Sequence, residues 1–373
     1  MKEALQEAFK LKFHQEPTVL VQAPTRINII GEHTDYNDGW VMPAAIDKYI
    51  YFALVKLDKP LVFIYDENKD EQFYFAYEDD FSLEGLTQWR KYYYGAIDLL
   101  KKEYNLGGFK AYKIGTAPVG AGISSSAALC CGFIFAISEL FDLKLDRWTI
   151  AKLAQRVEQE YVGLQCGIMD QFAVLFGEEN HILRLNCFNL AYTKHPVKLE
   201  EFQFILCNSM VKHNLADSAY NERVDEMKQI KKSLHLKDFS QWENLDTNQL
   251  KSPLKNRLRH LVSANRRVQR MQVALDRNDA HQVGQLLNES HASLQKDYAV
   301  TCEETDYLVN ALNTHGALGS RQMGGGFGGC ILALIPNEKL NDLKSAVSLL
   351  YQERFQRELE FYSITLSNGV KRI

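Results

Sequence analysis

Short runs of alternating or continuous apolar residues predict β-strands in the first half of the chain and again near its end. In the first half these runs are TVLVQA, YIYFALVKL, LVFIY and FKAYKIGT, and helical patterns begin near Trp89, Ser124 and Trp148. Strand patterns return in CILALIP and ELEFYSITL, on either side of a helical run from Glu338 to Arg354. This mixture predicts an α+β fold.

Between these two regions, from about Asp217 to Asn313, the pattern is almost entirely that of long amphipathic helices. Apolar residues recur there at helical spacing, most clearly in LKNRLRHLVSANRRVQRMQVAL. A chain of 373 residues also exceeds what a single core usually holds. We therefore expect two closely joined parts, residues 1–195 and residues 196–373.

Composition and charge narrow the possible partners. The net charge is −4 and the pI about 6.2, so no basic excess indicates binding to nucleic acid or to a membrane surface. The first residues, MKEALQEAFKLKFHQEP, alternate charged with apolar residues and contain no apolar core of a signal peptide. No apolar run approaches the roughly 20 residues of a membrane span. The seven cysteines are odd in number and form no CxxC pair, which is typical of the reducing cytosol. We expect a cytoplasmic protein.

The stretch RINIIGEHTDYNDG, Arg26 to Gly39, follows an apolar strand pattern with an unusual density of charge. It contains an arginine, a glutamate, a histidine and two aspartates within fourteen positions. Such a cluster is either a solvated turn or a site.

A second stretch, PVGAGISSSAALCCG from Pro118 to Gly132, leads glycines and serines into a helical pattern. Glycines allow the backbone to approach a ligand, and the N–H groups at the start of a helix attract an anion. An ordinary serine cap explains the pattern almost equally well. No lysine follows the glycines and the spacing is not G-x-G-x-x-G, which argues against P-loop and dinucleotide folds. HRD and DFG elements of protein kinases are absent from the sequence.

Two further stretches carry unusual chemistry. SRQMGGGFGGCILALI, Ser320 to Ile335, places five glycines around a phenylalanine directly before a strand, which favours close approach to a ligand over a simple hairpin. In VEQEYVGLQCGIMDQF, Glu158 ends a helix and Asp170 follows twelve positions later. These two carboxylates serve one site only if the segment between them folds back.

Taken in order, APTRINIIGEHTDYNDGWVMPAAID, PVGAGISSSAA and QMGGGFGG resemble the galactokinases of the GHMP small-molecule kinase family. The resemblance extends over most of the chain, including NSMVKHNLADSAYNERVDE and FYSITLSNGV. It implies a two-lobed fold, with an N-terminal ribosomal-protein-S5-like α/β lobe, a C-terminal ferredoxin-like α/β lobe and the active site in the cleft. The implied reaction phosphorylates α-D-galactose with ATP at the C1 hydroxyl, the first committed step of galactose (Leloir) metabolism.

The resemblance also implies roles for individual residues. Asp170 and Arg26 are the expected catalytic pair. The sequence leaves open whether Asp170 deprotonates the sugar hydroxyl or orients it, since a carboxylate is a weak base for this purpose. Ser126 and Glu158 are the expected ligands of Mg²⁺, which prefers hard oxygen ligands and keeps several waters.

The remaining expected contacts concern the sugar and ATP. Asp35 is expected on the O3/O4 side of galactose, and Glu32 with His33 nearer O6. The full set of expected sugar contacts is Arg26, Glu32, His33, Thr34, Asp35, Gly167, Asp170 and Tyr220. The expected ATP contacts are Gly120, Ala121, Gly122, Ile123, Ser124, Ser125, Ser126 and Trp89. Trp89 either borders the adenine pocket or is an ordinary core aromatic.

Two alternatives stay open at this level. A kinase for a related sugar, N-acetylgalactosamine or arabinose, would keep all three motifs. A non-catalytic sensor of galactose and ATP would be recognised by damage to the phosphate loop, whereas GISSSAAL, Asp170 and Arg26 are intact here. We expect an active enzyme that works as a monomer.

Overall fold

The computed structural model describes residues 1–77, 83–117, 122–212 and 216–373. The strands within these ranges are β1 (Val19–Asn28), β2 (Trp40–Val41), β3 (Pro43–Leu57), β4 (Leu61–Asp66), β5 (Glu71–Ala76), β6 (Gly108–Gly115), β7 (His181–Asn186), β8 (Tyr192–Pro196), β9 (Phe202–Lys212), β10 (Gly319–Gln322), β11 (Gly328–Pro336), β12 (Glu360–Ser363) and β13 (Lys371–Arg372). The helices are α1 (Lys2–Phe13), α2 (Gln88–Glu103), α3 (Ser125–Phe141), α4 (Arg147–Arg156), α5 (Met169–Phe176), α6 (Ala216–Ser233), α7 (Leu254–Asp276), α8 (Ala280–Ser293), α9 (Glu303–Thr314) and α10 (Leu340–Phe355).

The first lobe is built on a six-stranded sheet in the order β13-β1-β3-β6-β4-β5. Its strands pair antiparallel except for β4 and β6, which run parallel. Helices α2 to α5 cover one face and bury the largest apolar cluster, while α1 packs on the other face. A small sheet in the order β2-β7-β8 completes this lobe.

The second lobe contains a four-stranded antiparallel sheet in the order β10-β11-β9-β12. Helices α9 and α10 pack on one face of this sheet. Its other face shares a core with α7, α8, Ile27 at the end of β1 and Ile29 just after it. Because this core contains residues of both lobes, the lobes are joined by continuous apolar packing.

The predicted elements are confirmed at the level of type and approximate position. The four early strand patterns correspond to β1, β3, β4 and β6, and the predicted helix starts correspond to α2, α3 and α4. The helical middle region contains α6 to α9. The expected α+β fold with two lobes is therefore confirmed.

The end of the chain departs from a simple division into residues 1–195 and 196–373. The proposed boundary falls in the last residues of β8, and β13 pairs with β1 in the sheet of the first lobe. Residues 367–370 also bond to the backbone of Ala45, Val174 and Gly177. A two-residue strand leaves no periodic signal, so the sequence pattern could not reveal this return.

Within the described ranges, we find no helix that combines the length and the apolar character needed to cross a membrane.

Candidate active site

A cavity of about 420 Å³ lies where the two lobes meet. The first lobe contributes the end of β1, the charged turn after it, the start of α3 and the start of α5. The second lobe contributes the glycine-rich turn between β10 and β11. The lining residues are Arg26, Glu32, His33, Asp35, Gly122, Ile123, Ser124, Ser125, Ser126, Leu164, Cys166, Met169, Asp170, Val211, Tyr220 and Met323 to Gly329.

Arg26 and Asp170 form a two-point ion pair in this cavity. Arg26 lies in β1 and is almost fully buried, whereas Asp170 lies in the first turn of α5 and is partly exposed. The arginine Nε donates to Oδ1 at 2.7 Å and Nη2 donates to Oδ2 at 2.9 Å. Paired charge-assisted bonds of this kind fix both the charge and the orientation of a carboxylate.

The same arginine also ties this pair to the loop that leads into α3, residues 120–126, which is the expected phosphate loop. Its Nη1 donates to the carbonyl of Gly122 at 2.8 Å, and its backbone N–H donates to the carbonyl of Ile123 at 3.1 Å. The hydroxyl of Ser124 donates to Oδ2 of Asp170. Both oxygens of Asp170 therefore accept bonds from groups that hold it in place.

The phosphate loop enters α3 through two residues in the left-handed region. Gly122 has φ 70° and Ser124, the N-cap residue, has φ 56°. Ser125 and Ser126 form the first positions of the helix, so their free N–H groups face the cavity end of α3. Gly120 and Ala121, also assigned to this loop, lie outside the described residues.

Glu158 lies behind the loop, buried in a π-helical turn, Val157–Val162. It accepts bonds from Gln171 Nε2 at 2.5 Å and Cys166 Sγ at 3.4 Å, and from the Ser126 side chain. Burial raises the pKa of Glu158 to about 7, with nearby Asp170 acting in the same direction. No group of three or more His, Cys, Asp or Glu side chains among the described residues forms a metal cage. A buried carboxylate beside a serine hydroxyl nonetheless fits a largely hydrated Mg²⁺ ion.

Glu32 is held by residues of both lobes. Its Oε1 accepts from Asn28 Nδ2 at 2.8 Å and from the guanidinium of Arg321, a fully buried residue of β10. Its Oε2 is buried and has no partner among the described residues. Burial raises the pKa of Glu32, and Arg321 opposes that shift. The free oxygen belongs to a residue that lines the cavity.

His33 adopts φ 60°, an uncommon conformation for a non-glycine residue. Its Nδ1 lies 2.8 Å from the Tyr36 hydroxyl, and its buried Nε2 has no partner among the described residues. Burial lowers the pKa of His33 to about 3, the interactions with His260 and Arg223 act in the same direction, and a backbone contact with Gly325 opposes them. The imidazole is therefore neutral at physiological pH.

Asp35 completes the charged turn. Burial raises its pKa to about 7, with the charge of Asp170 adding to the effect. Gly167 lies so close to this carboxylate that a Cβ at position 167 would overlap its oxygen. Thr34 does not line the cavity; its hydroxyl donates to the carbonyls of Gly31 and Trp40 and holds the turn.

The glycine-rich turn forms the opposite wall. Four of its glycines have positive φ, as does Phe327 with φ 58°. A Cβ at Gly325 would lie 3.2 Å from the ring of Tyr220, and one at Gly324 would lie 3.3 Å from the Gly122 carbonyl. The turn thus packs against both Tyr220 and the phosphate loop, and it forms a hairpin that is also a wall of the cavity.

Trp89 does not line this cavity. It packs in the core of the first lobe, 5.8 Å from Tyr93 between ring centroids, and its Nε1 has no partner among the described residues. Sequence reasoning missed Arg321, Cys166 and Met323. Arg321 carried a usable signal, since it is the one charged residue of the stretch Ser320 to Ile335 and a charge in a buried segment needs a partner.

Comparisons with known proteins agree with this geometry. Residues 7–56 match the family model described as the galactokinase galactose-binding signature. Residues 91–178 match the GHMP kinases N terminal domain, and residues 271–352 match the GHMP kinases C terminal model.

Full-length relatives are similar as well. The chain is 38% identical to the galactokinase of Thermotoga maritima, covering 95% of this chain and 99% of the relative. It is 36% identical to the galactokinase of Lactobacillus helveticus over 100% of both. Among solved structures, Lactococcus lactis galactokinase complexed with galactose matches with a TM-score of 0.93 at 32% identity, covering 100% of both chains. The Methanococcus jannaschii mevalonate kinase, at 18% identity and TM-score 0.67 over 94% of this chain and 98% of that one, shares the fold.

Proposed function

The chain belongs to the galactokinases of the GHMP kinase family, and on that premise we propose that its cleft transfers the γ-phosphoryl group of ATP to the C1 hydroxyl of α-D-galactose. The products are α-D-galactose 1-phosphate and ADP. The observation that carries this assignment is the position of the Arg26–Asp170 pair. It lies between the start of α3, suited to phosphate, and the turn with Glu32, His33 and Asp35, suited to sugar hydroxyls.

Asp170 acts as the acceptor that orients the C1 hydroxyl toward the phosphoryl group. Bonds from Arg26 and Ser124 hold both oxygens of this carboxylate in a fixed orientation. Phosphoryl transfer passes through a loose transition state that needs little early deprotonation of the attacking hydroxyl. We therefore assign the proton to Asp170 late in the reaction, while the guanidinium of Arg26 stabilises charge on the transferred group.

The start of α3 serves as the phosphate cradle, through Gly122 to Ser126 and, in the same loop, Gly120 and Ala121. The Ser126 hydroxyl and the Glu158 carboxylate are the groups that would hold Mg²⁺. When bound, Mg²⁺ would neutralise charge on the phosphates. The support is the buried carboxylate of Glu158, whose ionised form has no cationic side chain in direct contact among the described residues.

Sugar recognition rests on carboxylates and amide or imidazole groups arranged for vicinal hydroxyls. Asp35 is assigned to the O3/O4 side and Glu32 with His33 to O6, while Tyr220 and Gly167 complete the pocket. A site built to bond a hydroxyl rejects an analogue that lacks or misplaces it by several kcal/mol. Selection against glucose, which differs at O4, is the expected consequence.

Three further assignments remain proposals. Trp89 is assigned to the adenine side because its indole N–H has no partner among the described residues. We also propose a cytoplasmic location, supported by seven cysteines that are all free thiols. A monomer is the proposed working form.

The decisive experiment is an ADP-release assay with a panel of galactose, glucose, galactosamine derivatives, arabinose and galacturonate. We expect turnover with galactose and a kcat/KM at least tenfold higher than for any other sugar, on the order of one lost hydrogen bond or more. Preference for N-acetylgalactosamine or arabinose would instead establish a related sugar kinase. No galactose-dependent ADP release would favour a sensor, an alternative that the named relatives do not favour.

A further inference from the structure

Two tyrosines connect the cavity-lining imidazole of His33 to the interior of the second lobe. The His33 Nδ1 lies 2.8 Å from the Tyr36 hydroxyl, which lies 2.9 Å from the hydroxyl of Tyr298. Tyr36 belongs to a 3-10 turn, Asp35–Asn37, and Tyr298 is fully buried at the end of a π-helical turn, Leu294–Tyr298. The three groups therefore form one continuous chain of hydrogen bonds.

Aromatic packing fixes the plane of the imidazole. The His33 ring centroid lies 4.7 Å from that of Tyr298, 5.5 Å from that of Tyr220 and 5.9 Å from that of Tyr36. A ring held on three sides cannot turn freely to exchange its two nitrogens. Whether Nε2 donates or accepts a hydrogen bond then depends on whether Nδ1 carries the ring hydrogen.

The direction of donation along this chain of hydrogen bonds follows from counting the available hydrogens. The buried Tyr298 hydroxyl has one hydrogen to place, and the Tyr36 hydroxyl at 2.9 Å is its acceptor among the described residues. Tyr36 in turn donates to Nδ1 of His33. The reverse direction would leave the buried Tyr298 hydrogen without an acceptor among the described residues, which is unfavourable.

The neighbouring side chains of Arg257 and His260 do not accept the hydrogen of the Tyr298 hydroxyl. The Arg257 guanidinium carbon lies 5.9 Å from the Tyr298 ring centroid, and arginine offers only donors. The His260 ring packs against Tyr298, but its nitrogens already pair with the Glu32 carbonyl and the Ser293 hydroxyl.

We propose that Tyr36 and Tyr298 are positioning residues that fix His33 with Nδ1 as acceptor, so that Nε2–H points into the cavity as a donor. On the neighbouring residue, the free Oε2 of Glu32 is an acceptor. A donor and an acceptor together match a hydroxyl, which can serve as both. They do not match a carboxylate, an ammonium group or a methyl group. The pair thus selects a sugar with a free hydroxyl at this position.

This inference rests on the proposed function, which assigns Glu32 and His33 to O6. The test measures kcat and KM for galactose and for its 2-, 3-, 4- and 6-deoxy analogues, in the wild type and in Tyr36→Phe and Tyr298→Phe. For Tyr36→Phe we expect kcat/KM for galactose to fall about tenfold, mainly through KM, equivalent to one hydrogen bond. With 6-deoxygalactose, which has no hydroxyl for Nε2–H, we expect the same substitution to change kcat/KM less than twofold. Tyr298→Phe should act in the same direction.

Tyr112→Phe is the matched control. Tyr112 is a buried tyrosine of β6 whose hydroxyl donates to Glu67, and it does not line the cavity. Its substitution should leave the galactose to 6-deoxygalactose ratio unchanged. An equal loss on all five sugars in Tyr36→Phe would show a merely structural role and overturn the inference. No turnover of galactose by the wild type would instead overturn the proposed function.

A second readout needs no tyrosine variant. In the ¹⁵N-labelled wild-type protein, the long-range ¹H–¹⁵N spectrum of His33, identified by its loss in His33→Gln, reports which ring nitrogen is protonated. We expect the hydrogen on Nε2. A hydrogen on Nδ1 would overturn the proposed direction, whatever the kinetics.

Discussion

Arg321 and Glu32 form an ion pair that joins the two lobes in the interior of the protein. Arg321 lies in β10 of the second lobe and also donates to the carbonyls of Asn28, Ile29 and Gln322. Both partners are essentially inaccessible to water. The second lobe thereby orients a carboxylate that the first lobe presents to the cavity.

Replacing Arg321 by methionine should therefore affect both stability and sugar binding. Removing one partner of a buried ion pair typically costs about 3–5 kcal/mol, because the other charge is left without compensation. We expect a loss of that size in the free energy of unfolding measured with urea, and an increase of KM for galactose of more than tenfold.

The double variant Arg321→Met with Glu32→Gln distinguishes the loss of the ion pair from a general disruption of β10. With no carboxylate left unpaired, the double variant should lose less stability than the sum of the two single variants. Strict additivity of the two losses would contradict an interaction between these residues.

Asp170→Asn tests the assigned acceptor. The asparagine keeps the shape of the side chain but loses the charge that pairs with Arg26. We expect kcat to fall by about 10²–10⁴-fold, the usual contribution of a positioned acid or base, with galactose binding retained in calorimetry. Wild-type turnover in this variant would exclude both the proton-accepting and the orienting role.

Asp35 predicts a pH dependence of stability in the absence of sugar. Its pKa is raised from 3.8 in the unfolded chain to about 7 in the folded protein, chiefly by burial. Between these values the folded state holds a proton that the unfolded state has released, so the free energy of unfolding falls as pH rises. The stabilisation is complete below pH about 4 and lost above about 7. Glu158 titrates in the same window, so Asp35→Asn should remove only part of this slope.

The same titration predicts the opposite trend for sugar binding. If galactose bonds to the ionised carboxylate of Asp35, kcat/KM for galactose should rise with pH through about 7. In Asp35→Asn this rise should be reduced. A pH profile that is identical in the wild type and in Asp35→Asn would mean that another group controls binding.

Sequence patterns predicted the elements that depend on local regularity. Strands such as β3 and helices such as α7 follow from apolar periodicity, because one face of each must be buried. The charged turn and the two glycine-rich segments were recognised because their composition is costly in a core or in a strand. Each later proved to line the cavity.

Relationships between distant residues could not be predicted in this way. The pairing of Arg321 with Glu32 and of Tyr298 with Tyr36 depends on the packing of one lobe against the other. The return of β13 to β1 likewise depends on the closure of the sheet. Periodicity describes a single element and carries no information on which element will face it.

Glu158→Gln should impair the response of activity to Mg²⁺ without lowering the stability of the protein. The carboxylate of Glu158 is buried without a cationic side chain in direct contact among the described residues, and burial raises its pKa to about 7. Glutamine removes this charge and can still accept from Gln171, so we expect the unfolding midpoint to be unchanged or higher at pH 8.

Loss of the proposed Mg²⁺ ligand should nevertheless raise the Mg²⁺ concentration needed for half-maximal activity by about tenfold or more, in line with the cost of losing a ligand-shell interaction. The measurement is a Mg²⁺ titration of ADP release at fixed ATP, with Glu160→Gln, an exposed acid of the same turn paired with Arg156, as the control. An unchanged Mg²⁺ requirement in Glu158→Gln would place the ion on other residues.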